Sequence, residues 1–321
     1  MPRVLLLSLL SACLSLCLSA CPETPPDTAP TEATAEPSAA QSTLPIQASP
    51  FVLLSVSAKS LEPIARYQPE SQTFAPALPE RGQSLDAPTE ADAELLKNLV
   101  PQDASYPVYR NGSPQGHFGI ERLDPPGCGD YPQMVGQLQP PATVPENETF
   151  QAFSYAPAST PLAAFTPPPA PDSETLSEMG NMLKTAFFAN QNLSEQADEF
   201  ILDHVRSFPF QKTAGGEMEL GLLISGRRSD ETHAAFCGQE TFWVLGIWEQ
   251  GRAVPLASYL HPKSESPEDC QASDLVGSFS TGPALDHVMI QHNGYEWWDY
   301  SIYAWREDSW KEVFRGGGGG C

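Results

Sequence analysis

The chain has 321 residues, with 40 Asp and Glu against 17 Lys and Arg and a formal net charge of −23. That balance argues against nucleic-acid binding, where Lys and Arg must neutralise phosphates, and against a basic patch docking on anionic lipid. Hydrophobic residues make up 40% of the chain, including 15 Phe, 9 Tyr and 6 Trp, so much of it can build a core.

Met1 to Cys21 reads as an export segment, with one positive charge at Arg3 and then an uncharged, Leu-rich run. It is short for a membrane span, which takes about 20 mostly apolar residues. The run ends in Leu18-Ser19-Ala20-Cys21, which resembles the lipobox of bacterial lipoproteins. The resemblance implies a signal peptide over residues 1–20, removed on the N-terminal side of Cys21, and acylation of the Cys21 thiol. An ordinary cleaved signal peptide is the competing reading. Pro22 stands where the inner-membrane retention signal of enteric bacteria has Asp, which favours the outer membrane, with the protein facing the periplasm or the cell surface.

Proline divides the rest. Of 33 prolines, 27 lie between Pro22 and Pro171. Residues 21–50 carry Pro, Thr, Ala, Ser and acid without Lys or Arg, a composition that cannot offset chain entropy by burial and predicts an extended tether of up to about 90 Å. Residues 51–138 predict a small β-rich module. Phe51–Val56 suits a buried strand, Thr89 to Asp92 resembles a capping box opening a short helix, and Asn111-Gly112 marks a hairpin with a loop longer than two residues. Residues 139–171, dense in proline, read as a second linker or a surface strap.

Residues 172–321 predict a conventional α+β domain. Asp172 suits an N-cap, and Leu176, Met179, Leu183, Ala186 and Phe187 follow at helical spacing. A second helix is expected from Ser194, with Ala197, Phe200, Ile201, His204, Val205 and Phe208 on one face and Pro209 as its stop. The short connection makes the two a helical hairpin. Beyond Glu217 seven apolar runs, with turns at Gln250-Gly251, Asn293-Gly294 and Glu307-Asp308, predict an antiparallel β-meander under that hairpin. Gly316 to Gly320 read as a flexible tail.

Catalytic and metal motifs are sparse. No His-Glu-x-x-His, Cys-x-x-Cys or Gly-x-Ser-x-Gly occurs, and nothing calls for a cofactor or metal. His287 and His292 are five apart, which puts them on opposite faces of a strand. His117, His233 and His261 fall in expected loops. Cys128, Cys237, Cys270 and Cys321 form an even set suited to two disulfide bonds in an oxidising compartment, with three possible connectivities. Cys237 with Cys270 is favoured because the two flank one strand pair, and Cys128 with Cys321 then follows by elimination. The run Tyr295 to Trp305 alternates Tyr295, Trp297, Tyr303 and Trp305 against Trp298, Tyr300 and Ile302, so both faces are apolar. This suits a covered central strand. The functional alternative is an exposed aromatic surface that stacks on sugar rings or a partner peptide.

The expectation is therefore a non-catalytic, lipid-anchored envelope protein that binds or scaffolds an envelope protein or glycan. The alternative is an envelope hydrolase using His204 or His287 with Asp203 or Asp286.

Overall fold

The computed structural model describes residues 50–79, 89–125, 131–141, 150–157, 165–229, 240–262, 272–294 and 296–320. All seven cysteines lie outside these residues, and so do the predicted lipidation and disulfide sites. The described chain is mostly β, which overturns the α+β expectation of a helical hairpin on one meander.

The first body is a six-stranded closed antiparallel barrel made of β1 (Phe51–Val56), β2 (Ser60–Gln68), β4 (Ser105–Arg110), β5 (Ser113–Asp124), β6 (Gln133–Gln139) and β7 (Ala152–Ala156), in the order β1-β7-β4-β5-β6-β2 with β2 pairing back to β1. β3 (Thr73–Pro76) extends β2. Closure is what removes the exposed edges of so small a sheet. β7 falls within the Pro-rich 139–171 stretch, so the barrel is completed by chain that reads as linker in the sequence. Val52, Leu54, Val56, Tyr106, Val108, Phe118 and Met134 fill the interior. α1 (Glu90–Leu99), opened by the Thr89 and Asp92 capping box, packs Leu96 on that core. The hairpin β4–β5 has a loop of two residues, shorter than expected. Asn111 and Gly112 have φ of 52° and 74°, the left-handed pair that a tight hairpin turn of matching twist requires.

The second body is a β-sandwich. One sheet contains β8 (Phe200–Phe210), β9 (Glu219–Arg228), β10 (Thr241–Glu249) and β11 (Arg252–His261), and the other β12 (Ala272–Phe279), β13 (His287–Asn293), β14 (Trp297–Arg306) and β15 (Ser309–Gly320), each an antiparallel meander. Phe208, Phe210, Trp243, Leu245 and Ile247 of the first sheet meet Val288, Ile290, Tyr303, Trp305 and Trp310 of the second. α2 (Ser173–Asn190), whose N-cap Asp172 accepts from the Thr175 amide at 2.8 Å, covers the outer face of the first sheet through Met179, Leu183, Phe187 and Phe188. The outer face of the second sheet meets the barrel wall, with Val276, Phe279, Met289, Tyr300 and Ile302 against Phe51, Leu53, Ile64, Phe153 and Tyr155. The order of layers is thus helix, sheet, sheet, barrel.

The expected second helix is a short 3₁₀ turn, Ser194–Glu199, followed by β8. A β-bulge between Leu202 and His204 is the reason the spacing reads as helical. It switches which parity faces which neighbour, so Phe200, Leu202 and Val205 pack toward α2 while Phe208 and Phe210 enter the sandwich. Aromatic and β-branched residues suit such a strand, and Pro209 is tolerated because β8 is a sheet edge. Gly316 to Gly320 are the end of β15, paired with β14, and not a free tail.

Candidate functional site

The inner face of the sandwich turns polar at one end. Val288 and Ile290 point into the core, and alternation carries His292 to the same side. Its register partners are Ser273 on β12 and Asp299 on β14. Ser273 Oγ lies 2.8 Å from His292 Nδ1, and Ser301 Oγ lies 3.1 Å from Nε2. Ser301 donates to Glu312 Oε2 at 3.3 Å, and Tyr303 donates to the same oxygen at 3.0 Å. With its proton directed at Glu312, Ser301 accepts from Nε2–H, so Nδ1 is left to accept from the Ser273 hydroxyl. From the first sheet, Ser225 donates to the Ser273 carbonyl at 2.7 Å, and the Trp243 ring lies 5.8 Å from the imidazole.

Electrostatics fix the state of this chain of hydrogen bonds. Burial, assisted by Arg315 and His261, pushes His292 down to about 3, so the ring is neutral at physiological pH. Burial raises the Asp299 carboxyl even though Arg315 donates to its Oδ2 at 2.9 Å. Burial also pushes the Tyr303 phenol far up, and Glu312 adds to the shift. Ser273, His292 and Ser301 are each at most 1% exposed.

A serine beside an imidazole and a carboxylate is the grammar of nucleophilic catalysis, but two features count against that chemistry here. A base works best near the ambient pH, and a ring titrating near 3 takes protons poorly. Both hydroxyls are buried between the sheets. Comparison with family models, curated proteins and solved structures returns no match. What the arrangement does do is satisfy every polar atom of His292 inside an apolar sandwich and so fix the register of β12, β13 and β14.

The residues singled out in the sequence are dispersed. Tyr303 and Trp305 are buried between the sheets, the Trp305 ring 5.0 Å from Phe210 and 5.3 Å from Trp310. Trp297, at the start of β14, is half-buried. His204 lies on β8 opposite Ser225, and its neighbour Asp203 pairs with Arg227 at 3.5 Å. His117 and His261 lie in strands β5 and β11, and His233 lies outside the described residues. Among the described residues no cluster of His, Cys, Asp and Glu could hold a metal ion. Sequence reasoning missed Ser273, Ser301 and Glu312. The available signal was parity, because Ser301 interrupts an aromatic strand and His292 continues an apolar face.

Proposed function

We propose that this protein is a non-catalytic lipoprotein of the cell envelope, anchored through acylated Cys21 in the outer membrane and presenting a rigid β body that binds or scaffolds an envelope partner. The anchor rests on Leu18-Ser19-Ala20-Cys21. The observation that carries the non-catalytic half is the sealed Ser273–His292–Ser301 chain, which has the residues of a hydrolase without access or a competent base. The test has two arms. Expression of the full chain in a bacterial host should label with radioactive palmitate, and Cys21→Ala should abolish the label and leave an unprocessed precursor. A fluorophosphonate probe should leave Ser273 and Ser301 unmodified; covalent labelling of either would favour the hydrolase.

A further inference from the structure

Glu62 lies on β2, opposite Ser55 of β1, on the barrel wall that meets the sandwich. Both of its oxygens are held by one strand of the other body. Trp298 Nε1 donates to Oε1 at 3.1 Å, and the Tyr300 hydroxyl donates to Oε2 at 2.9 Å. Trp298 and Tyr300 are two apart on β14, hence on one face, and both reach across the junction. A single carboxyl is therefore a two-pronged bridge between barrel and sandwich.

Among the described residues no charged group acts on that carboxyl. The ionisable group facing it is the Tyr300 phenol, which burial and then Glu62 itself push far above its ordinary value. β1 brings the Ser55 hydroxyl, which bonds Tyr300. β15 brings Phe314 and Gly317 against Ile64, the residue two along from Glu62. Lys59 and Arg66, the nearest cations along the chain, are exposed. Among the described residues a carboxylate here has two neutral donors and no counter-ion, so ionising it costs hydration that the site returns only in part.

We propose that Glu62 is a proton-operated clamp that holds the barrel on the sandwich more firmly in its protonated than in its ionised state. Burial raises Glu62 from 4.5 to about 7, its two hydrogen bonds opposing but not cancelling the shift. Between those values the folded chain binds more protons than the unfolded one, so the clamp's contribution declines as pH rises from 4.5 to about 7 and then levels off. The change falls near neutrality, where an ordinary carboxylate does not titrate. The inference rests on the fold and not on the lipoprotein reading.

The test is amide hydrogen exchange of the full chain between about pH 5 and pH 9, corrected for the intrinsic pH dependence of exchange. In the wild type, protection of β2 and β14 should fall by about tenfold between about pH 5 and about 7 and then level off, within the roughly hundredfold that such a shift allows, while β5 in the barrel wall stays constant. Glu62→Gln should flatten the β2 and β14 profiles. A wild type without the transition, or a Gln variant that keeps it, overturns the clamp. A second readout needs no substitution: the carboxyl carbon of Glu62, followed by NMR in the wild type, should titrate near 7, and a midpoint near 4.5 overturns the proposal. Trp298→Phe, which removes one donor to the ionised form, should move that midpoint upward, and an unchanged or lower midpoint counts against it.

Discussion

His287 Nδ1 lies 2.7 Å from Oδ1 of Asp286, the residue immediately before it, while Nε2 is buried with no partner among the described residues. Neighbours on a regular strand point to opposite faces, which is why the pair carries little weight in the sequence. Asp286 escapes that rule because it precedes the first residue of β13. Its carboxyl is free to fold back onto the imidazole while its carbonyl accepts from the Trp305 amide at 2.7 Å. The His287 ring lies against Phe279 at 5.3 Å and Phe74 at 5.9 Å, so it completes the aromatic layer between the barrel and the sandwich. Among the described residues no nucleophile is bonded to it, and the dyad reads as packing with one polar tether.

That reading separates two substitutions. Asp286→Ala leaves Nδ1 buried and unpaired and should cost about 1–3 kcal/mol, whereas His287→Phe removes both ring nitrogens, keeps the ring, and should fall within about 1 kcal/mol of the wild type. Urea unfolding of both variants decides it. An Asp286→Ala variant as stable as the wild type would show that the tether contributes nothing.

His292 makes a prediction about acid. Its folded value of about 3 lies below the ordinary 6.5, so between the two the unfolded chain binds the extra proton and stability rises with pH. As pH falls through that window the wild type should lose up to about 1.4 kcal/mol per pH unit from this group alone. The carboxylates also titrate in acid, so the quantity to measure is the difference between the wild type and His292→Gln. The gap should narrow steadily as pH drops toward 3, and a gap independent of pH would mean that His292 is charged in the fold.

The sequence was legible where one local signal decided the outcome. β1, the capped α1 and α2, and the strands after Glu217 stand where turn residues and alternation place them. Two things were hidden. The bulge at Leu202 turned a strand into a helical-looking pattern, because an inserted residue shifts the alternation by one and mimics a longer period. The assembly of strands into a barrel and two sheets depends on pairings such as Val52 with Ala156, about a hundred residues apart, which no local pattern records. The polar chain was illegible for the same reason, since Ser273, His292 and Ser301 come together only through cross-strand register.

The aromatic strand offers a core test. Trp305, 8% exposed between the sheets, should cost about 3–5 kcal/mol when changed to Ala. Tyr259 on the edge strand β11 is 50% exposed, and Tyr259→Ala should cost far less, about 1 kcal/mol or under. Equal losses in thermal melts would contradict the burial that places Trp305 in the sandwich core.

The glycine run gives the sharpest contrast between the two readings of the C-terminal segment. A flexible tail tolerates any side chain, but a strand edge pressed against another backbone does not. Gly317 has φ of 70°, a left-handed conformation, and a Cβ there would lie 2.5 Å from the Ile64 carbonyl oxygen of β2. A Cβ on Gly318 would collide with the carbonyl of Trp298. Gly317→Ala should therefore cost more than the roughly 1–2 kcal/mol of left-handed strain alone, and it should loosen β14 and β15 in hydrogen exchange. Gly282→Ala is the control, because nothing lies within 4 Å of the added methyl, and it should stay within about 0.5 kcal/mol of the wild type. If the two variants melt together, the last turns of chain are not paired to β14, and the short approach between β15 and the barrel loses its basis.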